Sequence, residues 1–168
     1  FILGIAGIAS TYWFFLMKKE KVVAIASDSV DIIVSGGYQP EVISVPKGKT
    51  TKIKPLIMDQ QKIGGIGNIY ANDALFKAKI NPARAARSLS DNEIKELFNA
   101  ILAVMEKSFE EGGASELSFV NVLGQEGNYQ RHSLVYGKTG KPCSNCRTLI
   151  QRVTLAGRGT FFCPQCQV

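Results

Sequence analysis

The sequence predicts an α+β chain, and three observations carry that prediction. β-branched residues punctuated by Gly and Pro fill 22–53. A long segment near 91–111 repeats its apolar residues with a helical period. All four cysteines fall between 143 and 166 as two close pairs. The expected order is an apolar N-terminal helix over 1–17 and a short β-rich stub over 18–51. A small helical domain over 52–130 and a C-terminal four-cysteine β-hairpin over 131–168 complete it. At 168 residues the chain has room for one or two small domains with a real core.

The formal net charge of +6 is unevenly spread. Residues 1–51 carry five Lys and four acids, whereas 52–168 carry fifteen Lys/Arg and ten acids. From Gly127 onward there are six Lys/Arg and no Asp or Glu. A basic segment that excludes acids suits a polyanion, nucleic acid first and an anionic membrane second, although a merely solvated basic surface has the same charge.

"FILGIAGIASTYWFFLM", residues 1–17, is uncharged and mostly apolar. As a helix rising about 1.5 Å per residue it sits at the short edge for a membrane span, so an anchor, a signal or a buried helix is expected. If it spans, Lys18, Lys19 and Lys21 favour a cytoplasmic remainder tethered to the inner face of the membrane. "KVVAIA", "VDIIVSGG" and "EVISVPKGKTTKI" read as strands. Over about twenty residues this stretch resembles the opening strands of membrane-anchored cupredoxin-like domains. The only histidine is the distant His132, so no copper site follows.

"KPLIMDQ" opens a short helix with Pro55 in its first turn. "NIYANDALFKAKI" reads as a second helix, with Ile69, Leu75 and Phe76 on one face. In "SLSDNEIKELFNAILAVMEKSFEEGG", Ser90 and Glu93 have capping-box spacing. Ile94, Leu97, Phe98, Ile101, Leu102, Met105 and Phe109 are expected to form the core stripe, and Gly112-Gly113 stops the helix.

"CSNC" and "CPQC" stand sixteen residues apart. Each pair puts two sulfurs on one tight turn, and two such knuckles close a tetrahedron around Zn²⁺, with Cys143, Cys146, Cys163 and Cys166 as ligands. Two disulfides or a redox dithiol are the alternatives. Four thiolates and one Zn²⁺ sum to −2, which leaves the tail from Gly127 at about +4. Between the knuckles, "RTLIQRVTLAGRGTFF" reads as a hairpin whose "AGRG" tip thrusts Arg158 outward, toward a phosphate or simply into solvent.

Between the two short helices, "GGIGNI" fails the dinucleotide fingerprint, because Tyr70 holds the third glycine position, and it lacks the Lys-Ser/Thr of a P-loop. No nucleotide cofactor is expected. A glycine-rich double turn is, with backbone N–H groups and Asn68 forming an anion site at the second helix's start. Such a site fits a DNA phosphate, which positions a protein without reading sequence.

"IKPLIMDQQKIGGIGNIYANDALFKAKINP", "EEGGASELSFVNVLGQEGNYQRHSLVYGKTGKPC" and "CSNCRTLIQRVTLAGRGTFFCPQC" together resemble the C-terminal half of the formamidopyrimidine-DNA glycosylase/endonuclease VIII family. The resemblance covers roughly 52–167, with a helix–two-turn–helix module at 54–78 and a zinc finger at 136–167. It implies base-excision repair of oxidised purines: a glycosylase and abasic-site lyase that flips its base out of double-stranded DNA. It also implies that Asn68 binds a phosphate beside the lesion, that Lys54 lies near the damaged nucleotide, and that Arg158 clamps phosphate and assists strand-cleaving elimination. The segment around Ser115–Tyr129 would close over the flipped base, and the four cysteines would hold one structural zinc.

The family's nucleophile is an N-terminal proline amine followed by a glutamate, whereas this sequence opens "FILGIAGIAS". The expectation is therefore a damaged-DNA-binding module without base excision. A membrane-anchored protein whose zinc ribbon is structural and meets protein partners is the alternative.

Overall fold

The computed structural model describes residues 30–34, 41–45, 51–61, 63–114 and 127–168. It divides the chain into two compact units, Phe1–Lys47 and Gly48–Val168. In the first, β1 (Val30–Val34) pairs antiparallel with β2 (Glu41–Val45), from Val30 opposite Val45 to Val34 opposite Glu41. Of the strands expected over 22–53, "VDIIV" and "EVISV" form. "KVVAIA" lies outside the described residues, and Ile53, expected at a strand's end, opens a helix instead. The apolar segment 1–17 lies outside the described residues. Among those described, no helix is long and apolar enough to cross a membrane.

The second unit begins with α1 (Ile53–Ile57), followed by the glycine double turn and α2 (Asn68–Lys77). Next come a single 3₁₀ turn (Ala86–Ser88), the long α3 (Asp91–Glu110) and the one-turn α4 (Tyr129–His132). The hairpin of β3 (Gln151–Leu155) and β4 (Arg158–Phe162) closes the unit. Ile53, Leu56 and Ile57 of α1 are buried together with Ile63 and Ile66 of the double turn and Leu75 and Phe76 of α2. The chain returning after α2 pins α1 from outside: Ile53 N donates to Arg84 O at 2.8 Å and Ala86 N to Thr51 O at 2.9 Å.

The capping box forms as its spacing predicts. Glu93 N donates to Ser90 Oγ, and Ser90 N donates back to Glu93 Oε2 at 2.8 Å. Arg84 adds both guanidinium nitrogens to the same carboxylate. These hydrogen bonds, Arg84 first and Ser90 next, pull the Glu93 carboxyl down to about 2. A depressed carboxyl contributes stability above its unfolded value of 4.5, and that contribution is lost as pH falls through the folded value near 2. Glu93→Gln keeps a capping-box acceptor but loses the carboxylate charge that meets Arg84, and should cost about 1 kcal/mol at neutral pH, the upper range for a partly exposed ion pair. The gap between variant and parent should close between pH 4.5 and 2, as followed by thermal melts.

The predicted core stripe of α3 needs correction. Ile94 and Leu97 are buried, but the line continues through Ala100, Val104 and Ser108. Leu102 is 36 % exposed and Phe109 is 64 % exposed. Among the described residues the main packing partner of α3 is α2, and the stripe buried there is narrow. At that contact small residues let the axes approach, and Ser108 is satisfied in its buried place by donating to Tyr70 Oη at 2.6 Å.

The hairpin also differs from its predicted form. Ala156 (φ 48°) and Gly157 (φ 73°) make the turn, both in the left-handed region that a two-residue hairpin requires. Arg158 is thus the first residue of β4, paired with Leu155, and its strand position rather than a loop tip aims its side chain. The hairpin shares a core with α2: Phe76 packs with Val135, Cys143, Ile150, Phe161 and Cys163.

Candidate metal centre and nucleic-acid interface

The first site lies at the base of the hairpin. The Sγ atoms of Cys143, Cys146, Cys163 and Cys166 all lie within 4.8 Å of one another. The Cys146–Cys163 separation is 3.4 Å and the Cys143–Cys166 separation 3.9 Å, and no disulfide joins any of them. Sulfurs at the corners of a tetrahedron with Zn–S bonds of about 2.3 Å stand roughly 3.8 Å apart, close to these separations, so the donor set suits Zn²⁺. With Cys143 and Cys163 buried and all four donors supplied by the chain, this is a closed, structural site for one zinc.

The second site gathers residues far apart in sequence. Gly65 (φ 87°) is the glycine of the double turn that needs left-handed backbone. Gln60 laces the turn across its width, accepting from Gly65 N at 3.0 Å and donating to Ile66 O at 2.9 Å. Gly67 is the N-cap of α2 and supplies no side-chain acceptor, and no acid stands in the first turn. The leading N–H groups of α2 and the positive end of its dipole are therefore left for an anion.

Asn68 begins α2. Its Oδ1 faces inward, accepting from Lys54 Nζ at 2.7 Å and from Asn72 Nδ2 at 3.4 Å. Its Nδ2 makes no hydrogen bond among the described residues and remains a donor. Lys54, a residue 1 % exposed, also donates from Nζ to Gly159 O at 2.9 Å and Thr160 Oγ1 at 2.7 Å. These last two are β4 residues, so one lysine ties the double turn to the hairpin. Burial first, and the neighbouring Arg158 guanidinium second, lower Lys54 to about 8. Arg158 itself is exposed. The structure thus brings Lys54, Asn68 and Arg158 to one place and keeps the zinc ligands apart from them, at the hairpin's other end.

Three residues with no prior role complete the frame. Asn72 Oδ1 accepts from Phe161 N at 2.7 Å, a second tie between α2 and β4. Asp73, fully buried, accepts from Val135 N at 3.0 Å, Leu134 N at 2.9 Å and Tyr129 Oη at 3.2 Å. Burial and the Asp73 charge push the Tyr129 phenol well up, so it stays a donor. Tyr70 Oη accepts from Ala114 N at 2.9 Å and packs edge-on to Tyr129 at 5.1 Å. "NIYANDALF" does hold a signal for two of these, since Asn72 and Asp73 interrupt an apolar helix face that points at a core. Residues 115–126, most of the segment expected to close over a flipped base, lie outside the described residues.

Residues 39–119 match the formamidopyrimidine-DNA glycosylase H2TH domain, and residues 140–168 match the zinc finger found in FPG and IleRS. The first match begins inside the 18–51 segment that the sequence reads as a separate stub. Among curated proteins, the formamidopyrimidine-DNA glycosylase of Herpetosiphon aurantiacus is 48 % identical over 119 residues, which is 71 % of this chain and 44 % of that protein. That of Cytobacillus firmus is 41 % identical over 152 residues, 90 % of this chain and 55 % of that protein. The chain spans about half the length of the curated relatives it matches. Among solved structures, Lactococcus lactis Fpg in complex with an abasic-site-containing DNA superposes with a TM-score of 0.64 at 40 % identity. That match covers 72 % of this chain and 43 % of that one. The MutM (FPG) protein from Thermus thermophilus gives a TM-score of 0.65 at 40 % identity, over 70 % of this chain and 45 % of that one.

Proposed function

We propose that this chain, which carries the C-terminal H2TH domain and zinc finger of the formamidopyrimidine-DNA glycosylase family, is the damaged-DNA-binding part of a base-excision-repair glycosylase and abasic-site lyase. The observation that carries the reading is the grouping of the α2 N-terminus, the unbonded Nδ2 of Asn68 and the neighbouring Arg158 around one buried lysine. Backbone N–H groups, a carboxamide donor and a guanidinium are the groups that hold a phosphodiester, and none of them reads a base. The acid-free stretch from Gly127 adds long-range attraction for the duplex.

In this reading Asn68 and Arg158 grip phosphate beside an abasic or lesion-bearing nucleotide, and Arg158 assists elimination in strand cleavage. Zinc does no chemistry and holds the hairpin that presents Arg158. Base removal, which in the family begins with a proline amine, is assigned to none of the described residues.

The test is binding of the zinc-loaded 168-residue chain to duplex DNA with and without an abasic-site analogue, across a salt series. Tighter binding to the abasic duplex is expected. Asn68→Ala and Arg158→Ala should each weaken it roughly 10- to 100-fold, the usual worth of a hydrogen bond to a charged group. Arg158→Ala should also lower the slope of log affinity against log salt by about one. Binding that ignores the lesion and both substitutions would leave only a basic zinc ribbon. Trapping with borohydride on abasic DNA would reveal any amine of the chain that acts as a lyase nucleophile.

A further inference from the structure

We infer that Lys54 is a positioning residue: its buried ammonium locks Asn68 of the double turn to β4 of the hairpin, and takes the bound phosphate as the counter-charge that the chain itself withholds. The inference rests on the DNA-binding reading above and adds to it a coupling between the two gripping elements and a proton linkage.

The geometry is unusual for a lysine. Nζ has three donors, and the chain satisfies all three with uncharged acceptors: Asn68 Oδ1, Gly159 O and Thr160 Oγ1. The residue is 1 % exposed, and among the described residues no carboxylate pairs with it. Of the elements packed around it, α2 presents Asn68, which is uncharged, and β4 presents Arg158, which is a cation. A buried lysine is ordinarily kept by an ion pair, because desolvating a lone ammonium is costly. Here a second positive charge stands beside it, so the free protein bears that cost in full.

Two consequences follow from placing a phosphate where Asn68 and Arg158 can reach it. First, the three hydrogen bonds hold Asn68 and the start of β4 at fixed separation, so the two elements meet one anion together. The Asn68 carboxamide in particular is fixed by Lys54: with Oδ1 taken by Nζ, Nδ2 is forced outward. Second, the arriving anion stabilises the ammonium. The free protein holds Lys54 at about 8. Since an opposite charge raises a lysine's pKa, binding takes up a proton above that pH. Affinity is then full below about 8 and falls as pH rises through the free value toward the bound one.

The experiment measures affinity of the zinc-loaded chain for an abasic-analogue duplex at fixed salt from about pH 7 to 10, with proton uptake read by calorimetry in two buffers of different ionisation enthalpy. For the parent, roughly tenfold weakening or more across this range and measurable uptake near about pH 9 are expected. Lys54→Met should bind about tenfold or more weakly at about pH 7, show a flat profile and take up no proton at this site. In the parent, the effects of Asn68→Ala and Arg158→Ala should couple; in Lys54→Met they should add.

A parent that binds abasic DNA and needs Asn68 and Arg158, but shows neither pH dependence nor proton uptake, would overturn the inference while leaving the proposed function intact. So would a Lys54→Met variant that keeps the parent's pH profile. A parent that does not bind DNA would overturn the proposed function itself. The parent's profile and proton uptake need no variant, so they stand even if Lys54→Met folds poorly.

Discussion

Stripping zinc from the chain with a chelator under reducing conditions should collapse both the cooperative thermal transition and DNA binding, and added Zn²⁺ should restore both. Structural zinc binds four-cysteine sites with an apparent ~10–16 kcal/mol, as large as the whole stability of a typical domain at ~5–15 kcal/mol. The loss would not stay local. Cys143 and Cys163 belong to the same core cluster as Phe76 of α2, and β4 supplies Gly159 and Thr160 to Lys54 and Phe161 N to Asn72. Without the metal the hairpin has a single face of contacts and a two-residue turn, too little to fold alone. A DNA affinity at least ~100-fold weaker follows if Arg158 and the Asn68 frame are both released. Cys163→Ser should act like the chelator but resist rescue. A chelated chain that kept its melting profile and its binding would mean that Phe76, Val135, Ile150 and Phe161 hold the hairpin without metal.

Asp73→Ala should be the most destabilising single substitution away from the metal site, by about 3–5 kcal/mol in chemical denaturation. The carboxylate is fully buried and accepts from Val135 N, Leu134 N and Tyr129 Oη. Truncation leaves three donors dry, at about 1–3 kcal/mol each before relaxation. It also cuts α2 from the segment that leads into the zinc finger, so the hairpin would lose its seat as well as its hydrogen bonds. Asp73→Asn is a sharper probe, because it keeps the shape but turns a donor toward donors. It should cost a comparable amount. A loss under ~1 kcal/mol for both variants would show that water replaces the carboxylate at no cost.

Part of this was legible without coordinates because the chemistry was local. Two C-x-x-C pairs carry their own geometry, since each knuckle sets two sulfurs on one turn whatever surrounds it. The Ser90/Glu93 cap is a contact across three residues and formed as its spacing implied. The α3 stripe was legible only in part. Periodicity says which residues share a face, but how much of that face is covered depends on what packs there, and among the described residues the buried line runs from Ile94 through Val104 to Ser108. The placing of Arg158 was missed by one turn position, because Ala156 takes a left-handed conformation that its side chain disfavours and glycine patterns do not announce.

The sequence by itself determined the zinc ligands, the helix boundaries near Asn68 and Ser90, and the basic, acid-free character of the last 42 residues. The cysteine knuckles and the helix starts rest on residues within a few positions of one another, and the tail's charge rests on composition alone. Tertiary structure alone decided that Lys54 meets Asn68 fourteen residues on and Thr160 a hundred and six residues on, and that Asp73 anchors Leu134 and Val135. The reason is energetic: a buried ammonium or carboxylate must find every hydrogen-bond partner it loses from water, and those partners come from whatever element the fold packs against it.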